Sequence, residues 1–183
     1  MNNKIYLKRY SRRVKLVLFS RNIKGQSTAY LVKRNESTDS ESGKWRGLCL
    51  ATLGGKPHKG EDDLAALARI LHETSDGRLN RLSILALLNT LDDGSNDGGI
   101  LHIGEHATIY GLVVPDVILG IIYPDLDRST VVHITVKNLP QLVRANDTDR
   151  FTPPADGKIV VFAHLESALK VGLRGRTQQL VHH

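Results

Sequence analysis

The chain has 183 residues, enough for one well-packed domain and short for two. Its 40% hydrophobic and 24% charged content excludes wholesale disorder, and no apolar run approaches the ~20 residues of a membrane span. The net charge of +6 is unevenly placed: Lys4, Lys8, Arg9, Arg12, Arg13 and Lys15 crowd the start, and Lys170, Arg174 and Arg176 crowd the end.

Such basic clusters attract phosphate-rich partners with a salt-dependent, sequence-blind affinity; the alternative is that they are solvated surface. With three Phe, one Trp and five Tyr, a multi-base stacking platform has little material. A single cysteine, Cys49, excludes an internal disulfide, and charges occupy the start where a signal peptide needs an apolar core. The expected setting is therefore intracellular, cytoplasmic or nuclear, with no membrane partner. The expected organisation is a single domain over 1–183, with a basic N-terminal segment 1–15 and a tail 172–183.

In chain order, Val14 to Ser20 reads as a strand and Thr28 to Lys33 as its hairpin partner across Asn22 to Gly25. Residues 35–44 are a polar loop, and Trp45 to Leu53 runs extended into Gly54-Gly55. An amphipathic helix follows the glycines. Leu79 to Leu91 is ambiguous between strand and helix and is read as helix through Ala86. Residues 92–99 form a second loop. His106 to Val114, Val117 to Tyr123 and Val131 to Val136 read as strands, β-branched and bounded by Gly or Pro. A short helix is expected over Asn138 to Arg144, a polar loop over 145–157, a strand over Lys158 to Phe162 and a closing helix over His164 to Val171. Strands on both sides of a central helix give an α/β (or α+β) sandwich with a mixed sheet.

The central helix can be phased at about 100° per residue: Leu64, Leu67 and Leu71 share a stripe about 60° wide, the expected core seam. Asp63, Ala66, Ile70, Glu73 and Thr74 occupy the adjacent stripe. No zinc spacing, nucleophile turn or phosphate-binding P-loop is present.

Gly55, five residues, Glu61, seven residues and Arg69 match without a gap the start of the signature G-x5-E-x7-R-E-U-x-E-E-x-G-U, where U is a bulky aliphatic. The chain thereby resembles the Nudix hydrolases over about 25 residues, and over most of its length in the order of elements. Lys56-Pro57 followed by Gly60-Glu61 is similar to the version seen in viral mRNA-decapping Nudix proteins. The likeness breaks at Ile70 and Thr74, where two metal-binding glutamates should stand, and Gly77 comes one residue late.

The resemblance implies an α/β/α sandwich and a magnesium- or manganese-dependent pyrophosphohydrolase acting on a nucleoside diphosphate linked to another group, capped RNA among the candidates. It implies Glu73 as principal metal ligand, Glu61 as loop brace or ligand, and Arg69 as the residue that orients the glutamates. Gly54, Gly55, Lys56 and Trp45 would line the substrate site. Asp63 is a candidate replacement ligand, with Asp62 and Asp76 as further acids; Glu105 is the candidate distant base, followed by Asp125 and Asp127. The bland alternatives are an exposed Arg69–Glu73 pair at i,i+4, a helix-start carboxylate at Glu61 and a loop acid at Glu105. Losing two of three anionic ligands weakens divalent-metal binding. The competing function is therefore a Nudix domain without turnover that binds nucleotide, RNA or a protein partner, or serves as part of an assembly.

Overall fold

The computed structural model describes residues 9–37, 46–91, 97–124, 130–144 and 158–174, side chains at 35–37 and 46–48 excepted. The first strand, β1 (Val14–Arg21), sits at the centre and shows why the molecule has two cores. Val14, Leu16 and Leu18 point to one face and Val17 and Phe19 to the other, the period-two alternation of a pleated strand buried on both sides.

Asn22 makes the turn after β1. Its side-chain oxygen accepts from the backbone N–H groups of Lys24 and Gln26, and Gly25 adopts the positive φ of 75° that closes the turn. The chain returns as β2 (Ser27–Ser37), antiparallel to β1, and then as β3 (Arg46–Ala51) and β4 (Leu53–Gly55). β4 crosses back onto the start of β1, pairing Gly54 with Lys15. Two helices follow, α1 (Asp63–Thr74) and α2 (Arg81–Asn89). The hairpin β5 (Gly98–Ile103) and β6 (Thr108–Val113) comes next, then α3 (Asp116–Ile122) and β7 (Val131–Ile134). A 3-10 turn over Val136–Gln141 leads into β8 (Leu142–Arg144), β9 (Ile159–Val161) and the closing helix α4 (Ala163–Leu173).

The main sheet runs β3-β2-β1-β6-β5, with β4 also on β1 and β7 also on β2. β1 and β6 are parallel and the other pairs antiparallel, so the sheet is mixed. One core packs α1, α2 and α3 against it through Leu67, Leu71, Ile84, Leu88, Leu119 and Ile122. The other packs α4 through Leu165, Ala168 and Leu169. This is the expected α/β/α sandwich. β8 and β9 form a small parallel pair, held to α4 where Arg144 Nε donates to buried Glu166 at 2.7 Å and Lys170 donates to its other oxygen.

Three expectations change. Val117 to Tyr123 is helix: Pro115 supplies the extended residue before the first turn, Asp116 favours a helix start, and Leu119 and Ile122 face the core at i and i+3. The loop expected over 92–99 yields at Gly98-Gly99 to the start of β5, whose residues 100–103 carried no assigned element; a Cβ at Gly98 would lie 2.7 Å from Thr90 Oγ1, so glycine is what lets the strand pass the end of α2. Residues expected as a short helix over Asn138 to Arg144 divide between the 3-10 turn and β8. Two smaller shifts concern the ends. α4 reaches Leu173, into the stretch expected as tail. The described part of the basic N-terminal segment is pinned: Asp63 N–H donates to Arg9 O at 2.8 Å and Thr108 N–H to Arg13 O at 3.0 Å. No helix among the described residues is long and apolar enough to cross a membrane.

Candidate functional site at the glycine turn and first helix

β1 leaves no room for a side chain at Gly54, the first of the two glycines that end β4. A Cβ on Gly54 would fall 2.6 Å from Val14 O and 3.2 Å from Lys15 Cα, a backbone collision that no rotamer relieves. After Gly55 the loop 56–62 leads to α1, whose N-cap is Asp62; its carboxylate accepts from Ala65 N–H at 2.9 Å.

Arg69, almost two turns into α1, reaches back over this loop. Nε donates to Glu61 Oε1 at 2.9 Å and Nη2 to Glu61 Oε2 at 3.0 Å, a bidentate fork. Nη2 also donates to Lys56 O at 3.0 Å, and Glu61 Oε2 accepts from His58 N–H at 2.7 Å. The guanidinium thereby ties both ends of the loop to the helix. The Arg69 hydrogen bonds, with the His58 amide, hold Glu61 well below the usual carboxylate range, at about 2. The same contact raises the Arg69 pKa further. With its side chain 15% exposed, Glu61 is a brace whose two oxygens are occupied by donors.

The positions that the Nudix signature fills with three carboxylates separate here. Ile70 is 4% exposed and belongs to the α1 core, with Cδ1 about 4.0 Å from where a Gly55 Cβ would stand. Glu73 lies outside, its side chain 60% exposed, and accepts from Arg69 Nη1 at 3.3 Å. Thr74 is half-buried. The helix is rotated from its expected setting: Asp63, Ala66 and Ile70 join Leu67 and Leu71 in the core, while Leu64 is only half-buried. The stripe expected to carry ligands is thus partly core.

Asp63, expected as a replacement ligand, is fully buried and saturated. It accepts from Ser11 N–H at 2.9 Å, Ser11 Oγ at 2.8 Å and Tyr110 OH at 2.8 Å. Its task is to dock the N-terminal segment and α1 onto β6. Asp76 sits in the turn that ends α1 at a positive φ of 52° and is exposed. Glu105 stands in the β5–β6 turn, 85% exposed, its carboxylate 4.0 Å from His106 Nε2, and makes no ion pair with Arg69. Lys56 is exposed and contributes its backbone oxygen. Trp45, Asp125 and Asp127 lie outside the described residues.

A hard divalent cation needs several converging oxygens. Glu61 and Asp63 have theirs committed to nitrogen and hydroxyl donors, and Ile70 offers none. No group of three or more His, Cys, Asp or Glu side chains among the described residues converges as a metal site. The donor set at α1 therefore does not fit magnesium or manganese in this conformation.

Beside Gly54 and Gly55 the fold brings Arg13 and Lys15 of the basic N-terminal cluster together with residues that the sequence did not single out as site residues. Arg13, Lys15, Arg34, Thr52, Phe162 and His164 line a cleft of about 100 Å³ between the β4 edge and the start of α4. Lys15 Nζ lies 2.9 Å from His164 Nε2; an ammonium has only protons to give, so Nε2 accepts and the imidazole is neutral. Burial first, then the neighbouring Lys15, lowers the His164 pKa to about 4. The Phe162 ring stacks on His164 with centroids 5.6 Å apart. The strand spacing of Arg13 and Lys15 was visible in the sequence, but their meeting with Arg34 and His164 depends on the sheet order.

No protein-family model matches the chain, and no curated protein matches it. Among solved structures, a mutT/nudix family protein from Listeria innocua is similar, with a TM-score of 0.40 and 17% identity over 70% of this chain and 80% of that chain. That similarity assigns the chain neither a family nor an activity.

Proposed function

We propose that the chain is a Nudix-like domain that holds a phosphate-containing ligand, nucleotide or RNA, beside the glycine turn and lacks the metal-dependent hydrolysis that its signature implies. The observation that carries this reading is Ile70. An apolar side chain packed in the core at the first ligand position leaves Glu73 as a lone exposed carboxylate, while Arg69, Glu61 and the Lys56 carbonyl keep the loop braced. The brace supports binding geometry, since it fixes the backbone of a loop without supplying an attacking group.

The test is a hydrolysis screen with magnesium or manganese titrated against ADP-ribose, dinucleoside polyphosphates, nucleoside triphosphates and capped RNA. No turnover with any of them, with ligand binding unchanged in Glu73→Gln, is the expected result. Glu73 itself favours a second reading as a hydrolase, because it stays exposed next to Arg69 at the position of the principal ligand. Under that reading Glu73→Gln would lower turnover by orders of magnitude without unfolding the protein.

A further inference from the structure

We propose that the outer face of α1 and α2 is where two copies of this chain pair, with their α2 helices running antiparallel about Leu85.

α2 is apolar almost all round: Leu82, Ile84, Leu85, Ala86, Leu87 and Leu88 fall within a single short helix. A helix of that composition is ordinarily covered on every side. Here Ile84 and Leu88 are buried, while Leu82 is 79% and Leu85 44% exposed. Beside them the two helices enclose a groove of about 560 Å³, walled by Leu64, Ala65 and Ala68 of α1 and by Ile84, Leu85 and Leu88 of α2. It is hollow because alanines, the smallest side chains of the wall, stand at two of the three α1 positions. At about 100° per residue, Leu82 adjoins the stripe of Leu85 and Asn89. One face therefore carries both a projecting leucine and a hollow that admits one. A face with both is self-complementary, which is what a two-fold contact requires. A small apolar ligand in the groove would still leave Leu82 in water.

Charge fixes the direction. Arg81 is the first residue of α2, where its charge opposes the helix dipole, and among the described residues it has no carboxylate partner. At the other end, the last turn of α2 has no basic residue to meet its carbonyls. An antiparallel second copy answers both. Arg81 and Asn89 line the groove and lie equally far in sequence on either side of Leu85. A two-fold axis at Leu85 thus sets Arg81 of one copy beside Asn89 and the terminal carbonyls of the other. The same register sets Leu82 of one copy opposite Leu88, in the groove wall of the other. A parallel pairing would instead bring the two arginines together.

Two helices from each copy make a contact at the small end of the stable range, so pairing is concentration-dependent. Sedimentation equilibrium of the full chain over a concentration series measures it, and the wild type should show a monomer–dimer equilibrium. Leu82→Glu, at an exposed position, should weaken the dimer roughly tenfold or more by placing a charge in the groove of the second copy. Val117→Glu, the same change at an exposed position of α3, should leave it unaltered. Asn89→Asp should tighten the dimer by facing Arg81 of the second copy, and Asn89→Arg should loosen it, although each acts in the reverse sense on its own helix end. Circular dichroism would verify that the variants fold. A wild type that stays monomeric at its highest soluble concentration overturns the proposal and leaves the face to a helix of another protein. A dimer indifferent to Leu82→Glu also overturns it, since another face must then carry the contact. The opposite order of the two Asn89 variants overturns the antiparallel arrangement.

Discussion

The Tyr110 hydroxyl donates to Asp63 across 47 residues of sequence, at 2.8 Å, with both residues fully buried. Burial, followed by the hydrogen bond to Asp63, pushes the Tyr110 pKa upward, so the phenol remains a donor throughout the ordinary pH range. Asp63→Ala would leave the buried Tyr110 OH and the half-buried Ser11 N–H without their acceptor, while the Ser11 hydroxyl keeps Thr108. At about 1–3 kcal/mol for each unsatisfied buried group, a loss of about 2 kcal/mol or more is expected. Tyr110→Phe alone should cost less, and the double variant should cost less than the sum. Urea midpoints for the four proteins would reveal that coupling; strict additivity would mean that the two residues act independently.

Arg69→Lys should loosen the loop more than it destabilises the fold. A single ammonium cannot reproduce the fork that meets Glu61 twice and Lys56 O once. Amide exchange at His58, whose N–H is held by Glu61, should accelerate at least about tenfold with the urea midpoint little changed. Unaltered exchange at His58 would show that the loop keeps its shape without the brace.

Among the described residues His164, Glu61 and Glu166, the last held down by its hydrogen bonds to Lys170 and Arg144, contribute to the acid limit in two windows. Folded His164 has a pKa of about 4 against its ordinary 6.5, so the unfolded chain binds the extra proton first and stability falls as pH drops from 6.5 towards 4. Glu61, at about 2 against 4.5, contributes stability that is complete above 4.5 and is lost as pH falls through that lower window. His164→Gln should flatten the upper window while leaving the lower one. Urea denaturation between pH 7 and pH 3 would check both, and an unchanged slope above pH 4 in that variant would exclude His164 as the source.

Ile70→Glu should destabilise the protein by about 3 kcal/mol or more, because the new carboxylate replaces an aliphatic side chain that is 4% exposed. Adding Thr74→Glu completes the signature trio in sequence without moving position 70 out of the core. Thermal melts with and without magnesium measure the outcome: a lower Tm that magnesium does not restore is expected. Restoration by magnesium would mean that α1 can rotate to present three carboxylates.

The sandwich was legible where local signals agree. Asn22 and Gly25 mark the first turn, Asp62 and Gly77 bracket α1, and the apolar spacing of Leu165 and Leu169 marks α4. Val117 to Tyr123 was not legible as helix, because its aliphatic run suits either state and packing of Leu119 and Ile122 decides. The phase of α1 was misjudged for a related reason. Small Ala66 and polar Asp63 carry little hydrophobic weight in a periodicity argument, yet the sheet and Tyr110 bury both. Of the candidate site, the Glu61–Arg69 pairing follows from spacing within one loop and helix. The basic cleft could not be read that way, since Lys15 and His164 are 149 residues apart and meet only through the tertiary structure.

The parallel pairing of β1 with β6 has a kinetic consequence. Every other neighbour of β1 can form early, but Ser11 waits for Thr108, 97 residues later, before their hydroxyls meet. During synthesis the first strand must remain with one edge open while α1 and α2 are made, and both cores stay unfinished until β6 arrives. Closure of so long a loop is slow to nucleate and leaves an apolar strand edge exposed meanwhile. The arrival of residues 108–113 therefore sets when this edge of β1 is covered, and the second core closes later still, with α4.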